Sequence, residues 1–189
     1  MRKRKDHSPA SRPLRLLTRT AVDKRFANAL SQGDGVESAH CVHELWMRGE
    51  MAVNIESMLQ KVWTHCRDTV PEWLPMRHIE WLLTAYEVAA RFKATRKGKS
   101  NIYLVLLDYC DRNEPLGVYV GMTKYSPMER FDQHKAGIRA AGSVLKRGIE
   151  VLAGPTLHLQ RINRTDAERI ERDLALALAS AGLFVKGGH

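Results

Sequence analysis

Tyr103 in NIY (101–103), Tyr119 in VYVG (118–121), Arg130 and His134 in SPMERFDQH (126–134) and Glu171 in AERIERDLALAL (167–178) make a set of side chains whose types suit one kind of chemistry. A phenol can hold a phosphate oxygen or, if cations bring its pKa of ~10 down, take a proton from water. An arginine stays charged and grips a phosphate through two N–H groups. A histidine orients water or exchanges a proton near neutral pH, and a carboxylate suits a hard divalent cation. Together these are the parts needed to cut a phosphodiester bond with a metal ion.

Spacing decides which of these groups can work together. Gly117, Tyr119 and Gly121 fall on one face of an extended stretch, with Val118, Val120 and Met122 on the other. Glycines on both sides of the tyrosine leave room for a phosphate or a backbone to approach; the plainer reading is a bulge or turn with Tyr119 in ordinary packing. Arg130 and His134 are one helical turn apart and share a face beside Phe131 and Ile138. Taken alone they read as a solvent-facing pair. Two glutamates compete on the last helix. Glu168 lies three residues after Thr165, where a capping-box carboxylate meets the helix start. Glu171 lies at the margin of the stripe Ala167, Ile170, Leu174 and Leu178, where a carboxylate is costly unless something binds it; a salt bridge to a nearby arginine is the structural alternative.

The elements that must position these groups follow from the patterns. Residues 1–19 are basic, contain Pro9 and Pro13 and have no hydrophobic period, so they are expected to be a disordered tail. Residues 20–94 place apolar side chains at three- and four-residue intervals in AVDKRFANAL, VESAHCVHELWM, MAVNIESMLQKVW and MRHIEWLLTAYEVAARF. Breaks at Gly33–Gly35, Gly49 and Pro71–Pro75 make this an all-helical module of hairpins packed through Trp46, Trp63, Trp73 and Trp81. Its role is nucleic-acid positioning or protein interaction. Residues 95–100 (TRKGKS) form a basic linker and polar hinge, and residues 101–189 change period to α/β. IYLVLLDY and GVYVGMT are strands of a hairpin around DRNEPLG. Ser126, Pro127 and Glu129 start a helix with a capping box. TLHLQRI (156–162) alternates like a third strand, and a helix capped by Thr165 and Glu168 runs to about Ser180, with Gly182 stopping it.

Composition narrows the partners. The net charge is +9, with 18 Lys/Arg against 11 Asp/Glu in residues 1–99 and 12 against 10 in residues 100–189. Residues 91–99 hold five basic side chains, Arg91, Lys93, Arg96, Lys97 and Lys99, and no acidic one. Such runs are the footprint of a polyanion partner, because neutralising phosphates releases counterions; solvated tail and linker are the alternative. The apolar run IYLVLL is far short of the ~18 residues of a membrane span, and the basic start lacks the apolar segment of a secretory signal. Three cysteines fit a reducing compartment, so a soluble, cytoplasmic protein without membrane contact is expected. His40, Cys41, His43, His65, Cys66 and His78 are metal-ligating types, yet their spacing matches no closed zinc site, and packed helix residues explain them better.

With NIY, VYVG, the Arg–His turn and the later glutamate in this order, the chain from about residue 100 to residue 189 resembles the GIY-YIG nucleases. The resemblance implies a small three-stranded, mainly antiparallel sheet flanked by helices, preceded here by the helical module. It implies a metal-dependent DNA endonuclease leaving 5′-phosphate and 3′-hydroxyl ends. Tyr103 would be the general base, Tyr119 would hydrogen-bond the phosphate, Arg130 would neutralise its growing charge, and His134 would assist. Glu171 would hold Mg²⁺ or Mn²⁺, with water and substrate phosphate completing the shell. Duplex and single-stranded DNA are both possible substrates, and RNA is not excluded. Three departures stand out. Asn101 replaces the glycine of the first motif, the interval from Tyr103 to Tyr119 is long, and no asparagine follows Asn163 to place the phosphate, a role open to Lys186 or His189. Lys124 is a further phosphate contact. A binder that kept the fold and lost activity is the other reading, although a binder has no need of Glu171.

Overall fold

The computed structural model describes Pro9 and residues 12–95, 97–112 and 115–188. The chain divides into two units, Met1–Glu80 and Trp81–His189. Arg96 and His189, both singled out in the sequence, lie outside the described residues.

The first unit is helical. α1 (Arg19–Gln32) starts at Thr18, whose side chain accepts the Ala21 N–H, and ends at Gly33 in the left-handed conformation (φ 65°) that a glycine adopts without a Cβ penalty. Asp34 then caps α2 (Gly35–Met47), and α3 (Ala52–His65) follows. Val22, Phe26, Val42, Leu45, Ile55, Leu59 and Val62 form the core. His40 and His43 pack their rings against Trp73, with centroids 5.1 and 5.9 Å away. The expected tail is anchored from Arg12 onward. Arg12 donates to both oxygens of the buried Glu44 at 3.0 and 2.7 Å, Arg48 donates to the same carboxylate at 2.7 Å, and Leu14 is buried. Two arginines on one carboxylate satisfy the charge that burial would otherwise disfavour.

The second unit is mixed α/β, and its sheet has four strands in the order β3-β1-β2-β4 rather than three. β1 (Asn101–Leu107) and β2 (Gly117–Thr123) form the antiparallel hairpin expected from the sequence. β3 (Gly148–Val151) pairs antiparallel with β1, and β4 (Val185–Gly187) pairs parallel with β2. The expected strand at 156–162 is instead a 3-10 helix over Gly154–Leu159. Within 156–162 the buried positions are Thr156, Leu159 and Ile162, a three-residue spacing that suits a 3-10 turn and not the two-residue repeat of a strand.

Three further expectations change. The helix expected across 76–92 is α4 (Leu82–Ala89), which belongs to the second unit and packs on α7 and the 3-10 segment. The linker is no hinge: the Gly98 and Ser100 N–H groups donate to the carbonyls of Arg161 and Ile162, and Asn163 N–H to that of Thr95. Finally, α7 (Arg164–Ser180) is capped by Asn163, which accepts the Asp166 N–H, and not by Thr165. Glu168 is therefore one turn into the helix and pairs with Arg164 at 2.7 Å. α5 (Pro127–Lys135) keeps the expected capping box from Ser126 and Glu129 and is followed by α6 (Gly142–Arg147).

Candidate active site

Opposed residues of an antiparallel pair share a face. The register Tyr103↔Gly121, Val105↔Tyr119 and Leu107↔Gly117 therefore puts both tyrosines on one side of the sheet. That side carries the cluster of Tyr103, Val105, Leu107, Tyr109 and Val144, with Tyr119, Phe131, Ala141 and Phe184 packed on it. α5 and α6 cover it. Gly121 makes the arrangement possible, because a Cβ there would lie 2.7 Å from the Tyr103 hydroxyl and 2.7 Å from the Tyr119 ring.

His134 reaches this face from the last turn of α5 and is buried. Its ring nitrogens have separate roles. Ala141 N–H donates to Nδ1 at 2.9 Å, and Nε2 lies 2.8 Å from the Tyr103 hydroxyl. A backbone N–H can only donate, so Nδ1 carries no proton. The proton of the neutral ring is on Nε2, which donates to the Tyr103 oxygen. Burial, and then the nearby Arg130, lower the His134 pKa to about 4. The expectation of a histidine exchanging protons near neutral pH is corrected accordingly: His134 is a fixed neutral donor.

The phenols respond to the same environment. Burial first and then Tyr119 push Tyr103 up from its ordinary range, while Arg130 pulls it down. Burial also raises Tyr119, and the negative charge of Glu171 adds to that rise. Tyr103 is 1 % exposed and Tyr119 is half-buried, so Tyr119 is the more accessible hydroxyl. The Tyr103, Tyr119 and His134 ring centroids are 5.9 to 6.2 Å apart.

Arg130 acts on all three rings through its charge, with a hydrogen-bonding contribution at Tyr103, and it also anchors the neighbouring backbone. Nη1 donates to Gln133 Oε1 at 3.0 Å and to the Ile138 carbonyl at 3.2 Å, and Nη2 donates to the Arg139 carbonyl at 2.8 Å. Of the five N–H groups of a guanidinium, these bonds occupy three and fix the loop between α5 and α6.

Glu171 comes from α7 to the end of β2. β4 stops opposite Val120, so the Met122 N–H lies beyond it and donates to Glu171 Oε1 at 3.1 Å. A carboxylate is the ligand type that a hard divalent cation prefers, so Glu171 fits one position in a Mg²⁺ or Mn²⁺ shell. Among the described residues no group of three or more His, Cys, Asp and Glu side chains could hold a metal ion.

The expected phosphate contacts lie on the same unit. Lys186 is the parallel partner of Tyr119, with Nζ 4.8 Å from the Phe184 ring centre, and Lys124 stacks over Tyr125 at 5.5 Å. Arg91, Lys93, Lys97 and Lys99 are exposed. Asn101 has a role that its place in the first motif does not signal. Its Nδ2 donates to the Tyr125 carbonyl at 2.7 Å and its Oδ1 accepts the Arg161 N–H at 2.8 Å, joining two loops at the end of β1.

No protein family, curated protein or solved structure matches the chain. No helix among the described residues is long and apolar enough to cross a membrane.

Proposed function

We propose that the second unit is a metal-dependent endonuclease of the GIY-YIG type, cutting DNA to 5′-phosphate and 3′-hydroxyl ends. The observation that carries this reading is the convergence of groups far apart in sequence. Tyr103, Tyr119 and His134 meet on one sheet face, Arg130 lies within electrostatic reach, and Glu171 presents its carboxylate at the end of the strand that bears Tyr119.

In this reading Tyr103 takes the proton of the attacking water. Its phenolate is supported by the Nε2–H of His134 and by the charge of Arg130, which together oppose the effect of burial. His134 positions that oxygen and does not carry the proton, because its second nitrogen is held by Ala141. Tyr119, the more accessible phenol, donates to a phosphate oxygen, and Lys186 beside it adds charge from the sheet edge. Arg130 offsets the negative charge that grows on the phosphoryl group. Glu171 would hold Mg²⁺ or Mn²⁺, which when bound would supply a Lewis acid for the leaving 3′ oxygen.

The test is cleavage of supercoiled plasmid and of labelled single-stranded DNA with Mg²⁺, with Mn²⁺ and with chelator, alongside Glu171→Gln. The glutamine keeps an oxygen for the Met122 N–H, so the fold is expected to be retained. A metal ligand worth several kcal/mol in the transition state is lost, and cutting should fall by roughly 10²-fold or more. Binding without cutting, unchanged in Glu171→Gln, would replace the nuclease by a silent nucleic-acid binder.

A further inference from the structure

Arg161 occupies a backbone conformation that its own type resists. It follows the 3-10 segment at φ 57°, in the left-handed region that a Cβ makes costly and glycine does not. Asn101, 8 % exposed, holds it there through the Arg161 N–H, and the Gly98 N–H donates to its carbonyl at 3.1 Å. The Arg161 side chain is exposed. A long cationic side chain is what glycine would not provide at this position, and strained residues of this kind gather where a side chain must be presented.

Arg161 lines an open cleft of about 410 Å³ with Lys97, Gly98, Leu157 and Gln160. Two of these five residues are cations and none is acidic. Among the described residues, no ion pair engages Lys97 or Arg161. The base of the cleft is rigid. A Cβ on Gly98 would lie 2.0 Å from the Ile162 carbonyl oxygen, and Gln160 is fixed by bonds from Nε2 to the carbonyls of Ile102 and Thr156 at 2.7 and 2.8 Å. Asn101 connects the cleft to the Lys124–Tyr125 turn, and along β1 it is two residues, ~7 Å, from Tyr103.

We propose that this cleft is a phosphate subsite for the nucleic-acid backbone beyond the scissile bond, with Arg161 and Lys97 as its ligands. The proposal rests on the nucleic-acid reading above and adds a second anchorage to it. Arg161 offers a planar fork for two phosphate oxygens and Lys97 a mobile point charge. Asn101 is the positioning residue that holds Arg161 in place.

The experiment is binding of fluorescent duplex and single-stranded oligonucleotides in chelator across a range of salt concentrations, for the wild type, Arg161→Gly and Lys97→Gln. Each cleft variant should flatten the dependence of log K on log salt by about 0.9, the increment for one lost phosphate contact. Arg161→Gly should keep or raise the Tm, since glycine accepts the left-handed φ, so weaker binding would not reflect unfolding. A wild type that binds while both cleft variants keep its affinity and slope would overturn the subsite and leave the nuclease reading standing. A wild type that binds neither duplex nor single strand would overturn both. Arg161-dependent binding of inorganic pyrophosphate at matched ionic strength, with no effect of Arg161 on the duplex, would overturn the assignment to nucleic acid.

Discussion

His134 has both ring nitrogens committed, one to the Ala141 backbone and one to the Tyr103 hydroxyl, and the consequences can be read in pH. With its pKa near 4 when folded and ~6.5 when unfolded, it binds fewer protons folded than unfolded between those values. The stability it contributes is thus complete above pH ~6.5 and is lost as the pH falls toward 4. Cleavage should show no inflection near pH 6.5, and should rise on the alkaline side as the Tyr103 proton is lost. His134→Ala removes a hydrogen bond to a developing phenolate, worth ~1.5–3 kcal/mol, so kcat should fall roughly 10- to 150-fold and the alkaline limb should move to higher pH. A pH–rate profile of both proteins checks this; an inflection near 6.5 in the wild type would show that His134 itself titrates. Tyr103, Tyr119, Arg130, His134 and Glu171 were legible as a candidate set, because motif order needs no coordinates. It could not show that His134 is locked in one tautomer, since the partner is a backbone N–H whose donor role does not depend on the side chain of Ala141.

Between β1 and β2 the decisive contact is the one that Gly121 permits. Its missing Cβ leaves room for the Tyr103 hydroxyl and the Tyr119 ring, each within 2.7 Å of where that atom would stand. Gly121→Ala should overpack the hairpin, costing ~1–3 kcal/mol and displacing both phenols. Thermal unfolding and plasmid cleavage should both decline, and an unchanged Tm would show that the strands yield more readily than this contact suggests. The hairpin and α5 were legible because alternation and the Ser126 capping box are local signals. β3 and β4 were not: with four and three residues, they hold too few positions for a period and depend on pairing with β1 and β2. The segment 156–162 misled because leucines at 157 and 159 mimic alternation, while burial at 156, 159 and 162 follows a three-residue repeat. The left-handed φ of Arg161 has no sequence signal, as arginine is not a residue expected there.

At the scale of the molecule, the boundary at Glu80 and Trp81 changes where the charge belongs. Counted by the two units, residues 1–80 carry 13 Lys/Arg against 10 Asp/Glu, and residues 81–189 carry 17 against 11. The basic run at 91–99 is therefore part of the unit that holds the candidate site and not a tether to it. The same boundary makes α4 part of that unit: Leu82, Ala85, Val88 and Ala89 are buried, and the Trp81 indole N–H donates to the Leu116 carbonyl at 2.8 Å. A fragment of residues 81–189 should unfold cooperatively, whereas one of residues 101–189 should not, and circular dichroism on heating distinguishes them. Equal transitions would show that α4 is dispensable. The edges of the sheet also bear on pairing with a foreign strand. Its outer strands are short, and where β4 stops, the exposed edge of β2 is closed by the Glu171 carboxylate on the Met122 N–H. A strand from a neighbouring molecule would find that donor taken and a negative charge in its way, an arrangement that disfavours edge-to-edge pairing.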